Sequence, residues 1–141
     1  MFFLHLMIII SFSSNISSDS SKLIKNLKIE RGFSIEIFAE NIETPRQIAE
    51  SDSGNIFVGS RSGGTITAIS SNKDIRVIAK GLSNSTGVTY HDGDLYFSEV
   101  NSIWKIPNID EALLSSKKMP KKVLVTNNLP SDTHHGWKWI D

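Results

Sequence analysis

From residue 33 onward, apolar and polar residues alternate in short runs separated by Gly, Asn, Asp and Ser. Strict alternation places successive side chains on opposite faces of an extended chain, so these runs predict half-buried β-strands. The clearest is "FSIEIFAE" at 33–40. Others are "NIFVGSR" (55–61), "TITAIS" (65–70), "IRVIAK" (75–80), "DLYFSEV" (94–100), "SIWKI" (102–106) and "KKVLVT" (121–126). One stretch departs from this period. "IDEALLSS" (109–116) reads as a short helix, with Asp110 and Glu111 in its first turn, where the positive end of the helix dipole favours them.

The strand pattern repeats. In "DSGNIFVGSRSGGTITAIS" and "YHDGDLYFSEVNSIWKIPN" a turn glycine precedes an aromatic-centred strand, a short connection and a second β-rich strand, and the two glycines, Gly54 and Gly93, stand 39 residues apart. Ile42, Leu82 and Leu129 each open a polar loop that leads into the next unit. Repeats of about 40 to 50 residues with four short strands each are the mark of propeller blades. The expected fold is all-β. One blade has strands near 46–50, 55–60, 65–70 and 75–80, and a second near 87–91, 94–99, 102–106 and 121–126. Residues 136–140 begin a third. Two blades and one strand cannot close a ring, so the expectation is an incomplete β-propeller, the N-terminal part of a larger one.

The first residues follow a different rule. "MFFLHLMIIISFSS" is an apolar run too short to span a bilayer comfortably, followed by small and polar residues. Residues 1–21 therefore read as a signal peptide or short membrane anchor, and 22–141 as the propeller part. The expected location is periplasmic or secreted, with anchoring by the N-terminal segment as the variant.

Composition narrows the chemistry. Fifteen basic residues balance fifteen acidic ones, which leaves no net field to draw the chain onto nucleic acid. Cysteine is absent, which excludes disulfides, thiolate catalysis and cysteine-ligated zinc. The residues best suited to chemistry lie in "LPSDTHHGWKWID" (129–141). In the repeat register Arg46, Thr86 and His135 fall just before or at the start of the three inner strands. Inner strands line a propeller's channel, so these positions can converge at its mouth. If the segment is extended, His134 and His135 point to opposite sides and do not share a metal, and no metal ligand is assigned. One of them suits a general base, because imidazole exchanges a proton near neutral pH. The structural alternative is a histidine bonding a loop carbonyl beside Trp137 and Trp139 packed between blades. Arg46 has the same two readings, ligand contact or loop ion pair. Arg61, in "GSRSGG", reads as a surface turn residue, although Gly63 and Gly64 allow a ligand to come close.

Three stretches in order, "GFSIEIFAENIETPRQIAESDSGNIFVGSRSGGTITAI", "GLSNSTGVTYHDGDLYFSEVNSIWKI" and "LPSDTHHGWKWI", resemble the start of the quinoprotein soluble sugar dehydrogenases. These glucose and sorbosone dehydrogenase-like proteins are six-bladed propellers that use pyrroloquinoline quinone (PQQ) with calcium. The resemblance covers residues 27–141. It implies that a histidine after the "LP" loop is the general base that takes the proton of a sugar hydroxyl while hydride passes to the quinone. That histidine is His135, with His134 as the alternative. It implies a cofactor contact for Arg46, in a Pro-Arg pair like that of the sorbosone branch. The family's calcium ligands and most of its quinone-holding cations come from later blades, so this chain lacks them.

Two readings follow. In the first, the chain is the N-terminal part of a PQQ-dependent sugar or aldose dehydrogenase-like protein. Its substrate is a sugar or polyol, its missing blades come from a continuation or a second polypeptide, and the 141 residues alone are inactive. In the second, it is a non-catalytic extracytoplasmic propeller remnant or binding module.

Overall fold

The structure, a computed structural model, describes residues 18–115 and 119–141. The expected signal segment or anchor lies almost wholly outside them. The chain divides into two compact units, one up to Glu40 and one from Asn41 to Asp141. The first holds helix α1 (Ser18–Lys25), then a turn at Arg31–Gly32 in which Phe33 N–H donates to the Glu30 carbonyl. The alternating segment 33–40 does not form the expected strand and belongs to neither sheet of the second unit. Alternation supplies a strand's side-chain pattern, but its backbone bonds must come from a neighbouring strand.

The second unit is two antiparallel four-stranded sheets, each joined in chain order. The first contains β1 (Pro45–Glu50), β2 (Ile56–Ser60), β3 (Thr65–Ile69) and β4 (Ile75–Lys80). The second contains β5 (Val88–His91), β6 (Asp94–Ser98), β7 (Ile103–Ile106) and β8 (Val123–Thr126), with helix α2 (Ile109–Leu114) between the last two. These eight strands and α2 fall where the periodicity puts them, within one or two residues.

The repeat is visible in hydrogen bonds as well as in strand order. Gly54 and Gly93 both turn the first strand of a sheet into the second, with φ of 75° and 83°. At the β5–β6 turn Asp92 also has positive φ, 47°, as the two central residues of a tight hairpin turn require. Leu82 N–H donates to the Gly64 carbonyl, and its repeat counterpart Leu129 donates to Asn101 at the equivalent loop.

The core lies between the sheets. Phe57, Ile66 and Ala68 from the first meet Val88, Leu95, Phe97 and Ile106 from the second, with Leu82 and Ile109 completing the cluster. Phe57, Ile66, Val88, Leu95 and Phe97 are fully buried, and burying each such side chain contributes about 1.5 to 3 kcal/mol. Close approach of backbone also needs glycine here. A Cβ on Gly59 would run into the Thr86 and Ser85 carbonyls, so this position of β2 lets the β5 approach lie directly against the first sheet.

Helix α2 straps the sheets together. Its Asp110 carboxylate accepts from Ser51 Oγ at 2.7 Å and Asn55 Nδ2 at 2.8 Å, both in the β1–β2 turn, and from Tyr90 OH at 3.4 Å. Burial alone would raise the Asp110 pKa. The hydrogen bonds from Ser51, Asn55 and Ser53 outweigh that and hold it below its ordinary value. Tyr90 is pushed the other way, by loss of solvent and by its hydrogen bond to Asp52 at 3.2 Å.

Asp94 has a comparable structural role. It accepts from Lys105 Nζ at 2.6 Å and Asn108 N–H at 3.0 Å, and the Lys105 bond lowers its pKa while raising that of the lysine. The Asp92–Asp94 loop is thus a hairpin turn tied to β7. Replacing Lys105 with Met should raise the Asp94 pKa toward the ordinary aspartate value, read by NMR titration of the side-chain carboxyl. Asp94 now stabilises the fold above its unfolded pKa, and that contribution is lost as pH falls through the folded pKa. The variant should therefore lose stability at neutral pH and show a weaker acid dependence.

Candidate functional site

The three chain segments expected to line the channel do come together. The first is the start of β1, where register shifts between Pro45 and Ile48. The second is the approach to β5, where Ser85 Oγ donates to the Ser60 and Thr65 carbonyls and fixes the loop against the first sheet. The third is residues 136–140. They form no strand ladder, and side chains of the inner strands' neighbourhood hold them instead. Ser98 Oγ donates to the Lys138 carbonyl at 2.8 Å and Gln47 Nε2 to the Ile140 carbonyl at 2.6 Å. Gly87 is required beneath this segment, since a Cβ there would strike the Lys138 carbonyl and Ser98 Oγ.

Around that junction lies an open cleft of about 460 Å³ lined by Thr44, Pro45, Arg46, Arg61, Ser62 and Asn84. Thr44 organises one wall. Its carbonyl accepts from Arg61 N–H at 3.1 Å and its Oγ1 from Gly63 N–H at 3.0 Å, which folds the β2–β3 loop over the start of β1. Arg46 and Arg61, distant in sequence, therefore share one cleft. Asn84 reaches it from the β5 approach, with φ of 47°.

Arg61 continues the site toward the histidines. Its guanidinium lies over the Trp137 ring, 4.3 Å from the centroid. The His135 ring is 5.2 Å from Trp137 and 4.3 Å from His134, which meets it edge-on. Both histidines are exposed. The pair sits in a turn rather than an extended segment, and His135 has φ of 57°. That corrects the expectation that the two rings point apart. Even so, no group of three or more His, Asp or Glu side chains that could hold a metal occurs among the described residues.

The loop owes its shape to its own backbone. Gly136 is buried, and a Cβ there would collide with the Asp132 carbonyl, so the close approach that glycine permits is made by the loop itself. Lys138 Nζ donates to the Gly136 and Pro130 carbonyls and closes the turn. Nearby, Gln47 Oε1 and Thr86 Oγ1 are buried without a hydrogen-bond partner among the described residues, a state that costs about 1 to 3 kcal/mol per group unless a ligand or water satisfies it.

Arg61 is exposed in a bend, as its reading as a surface turn residue expects, and what the sequence did not show is its contact with Trp137. The glycine pair beside it, read as room for a ligand, is used by the fold itself at Gly64: a Cβ there would meet the Leu82 carbonyl, so this turn packs tightly on the β5 approach. Pairing with Trp137 was not legible, because the two lie 76 positions apart in the chain.

No protein-family profile matches the chain. An uncharacterized protein of Borreliella burgdorferi is 38% identical to it over 110 residues, 77% of this chain. The chain spans 28% of that relative's length. Among solved structures, streptogramin B lyase is similar over 62% of this chain and 28% of its own, with 14% identity and a TM-score of 0.49. The PQQ-bound form of an aldose sugar dehydrogenase from Streptomyces coelicolor is similar over 68% of this chain and 34% of its own, with 18% identity and a TM-score of 0.50. Together with the two chain-ordered four-stranded sheets, the likeness to the dehydrogenase makes this an all-β, propeller-type fold.

Proposed function

We propose that the chain is the N-terminal, base-bearing part of a PQQ-dependent sugar or aldose dehydrogenase-like propeller. The observation that carries this reading is that Arg46 and Arg61 share one cleft and that Arg61 stacks on Trp137, which in turn contacts His135. The cleft suits a carboxylate-bearing group such as this quinone, because among the described residues neither arginine is in a salt bridge and no acidic side chain lines the cleft. Arg46 would hold a carboxylate of the cofactor. The family resemblance assigns the calcium ligands to later blades. The fit to the dehydrogenase fold and the partial span of both relatives support the same arrangement.

When bound, the quinone supplies the acceptor for a hydride. This chain's part is the proton. His135, exposed and held by its left-handed turn against Trp137, accepts the hydroxyl proton of the sugar as the C–H bond gives up its electron pair, leaving a carbonyl. Trp137 packs against the His135 ring, and the Arg61 guanidinium in turn lies over Trp137. The protein acts outside the cytoplasm, delivered or anchored by its first residues, and further blades come from a continuation or a second polypeptide.

The test is dye reduction with PQQ, calcium and aldoses. The 141-residue chain alone should be silent, and the same residues joined to their remaining blades should turn over. PQQ-dependent turnover by the chain alone, or none by the joined protein with PQQ bound, overturns the reading.

A further inference from the structure

With Arg46 assigned to the cofactor, the hydrogen-bonding capacity of the Arg61 guanidinium is left without an assigned partner in the proposed chemistry. Arg61 is remote from Arg46 in sequence, yet the Thr44 bonds bring both to one cleft. Its guanidinium is already oriented by the Trp137 face, which leaves its N–H groups directed by a rigid ring rather than by a carboxylate. Ser62 and Asn84 add uncharged hydrogen-bonding groups to the lining, and no lining residue is acidic. A neutral sugar needs no such charge. A guanidinium flanked by hydroxyl and amide groups matches a carboxylate, which it can bind through two parallel hydrogen bonds.

We infer that Arg61, with Ser62 and Asn84, forms an anion subsite next to His135, and that the substrate is an acidic sugar whose carboxylate docks there. The assignment of the ligand as substrate rests on the dehydrogenase reading; the anion subsite itself does not. Arg46 remains for the cofactor on the same cleft, while the Arg61–Trp137–His135 row leads from the bound carboxylate to the base.

The test uses the chain without quinone, at constant ionic strength, and follows the Trp137 indole N–H and the Arg61 Nε–H by NMR. Glucuronate should bind saturably, and glucose, which differs by one carboxylate, at least about tenfold more weakly. Arg61→Gln should lose at least about tenfold in glucuronate affinity. Arg76→Gln, on exposed β4, should bind as the parent does. Thermal melting of each variant verifies that it is folded.

Equal binding of glucose and glucuronate, or glucuronate binding indifferent to Arg61→Gln, overturns the anion subsite. Tighter binding of inorganic phosphate than of glucuronate overturns the carboxylate assignment. If PQQ displaces glucuronate and Arg61→Gln weakens both alike, the subsite is the cofactor's own and the acidic-sugar assignment falls. Glucuronate binding that survives in a joined protein without dehydrogenase activity supports the subsite and counts against the redox reading alone.

Discussion

His135→Gln, in the 141 residues joined to their remaining blades, should lower PQQ-dependent turnover by about 10² to 10⁴-fold, the usual worth of a positioned general base. Glutamine keeps the size and a hydrogen-bonding tip but cannot take up a proton. Affinity for PQQ should be retained, because the proposed cofactor contact is Arg46, in a cleft whose lining does not include the exposed His135. His134→Gln distinguishes the two candidates. The rings meet edge-on at 4.3 Å, so both are near enough for proximity alone to leave the choice open. Only His135 contacts Trp137, and only it is fixed by a left-handed backbone in a turn closed by Lys138. His134→Gln should therefore cost less than about tenfold in turnover. If that variant is the more damaged, the base is His134 and the turn presents the neighbouring ring.

Asp110→Ala should destabilise the second unit by about 2 to 4 kcal/mol. The substitution removes the acceptor for Ser51 and Asn55, both buried, and leaves two polar groups without a partner where water has little access. It also loosens the strap between α2 and the first sheet without touching the apolar core. Asp110→Asn, which keeps an acceptor oxygen, should cost less. The pH dependence separates charge from geometry. Because the folded Asp110 pKa lies below its unfolded value, the stabilisation is complete above the unfolded value and is lost as pH falls through the folded one. Urea melts at neutral and acid pH should therefore show a smaller acid loss in both variants than in the parent. A parent-like acid loss in Asp110→Asn would mean that other carboxylates carry it.

The blades were legible because alternation, turn glycines and the repeat agree. Gly54 and Gly93 are turn residues of the same strand junction in two copies, and local chemistry alone requires them there. Segment 33–40 had the alternation but joins neither sheet, which no periodicity within it could reveal. Residues 136–140 show the converse. They occupy the expected third inner place, but Ser98 and Gln47 side chains hold them rather than a ladder. At the candidate site, Arg46 and His135 were singled out by repeat register. Arg61 was read as a surface turn residue, and its partners, Thr44 and Trp137, were not legible because tertiary packing sets them. The relative orientation of the two histidines was misread because nothing in "THHGW" announces a left-handed residue at His135.

The central claim is that His135 accepts a sugar's proton while a bound quinone takes the hydride. An anaerobic single turnover tests it most directly. The joined protein, loaded with PQQ and calcium, is mixed with aldose or sugar acid deuterated at the carbon bearing the oxidised hydroxyl, and quinone absorbance is followed. One quinone should be reduced per sugar oxidised, more slowly with deuterium than with hydrogen, and His135→Gln should abolish the fast phase while PQQ stays bound. Quinone that stays oxidised in the parent, or is reduced as fast in His135→Gln, would contradict the account.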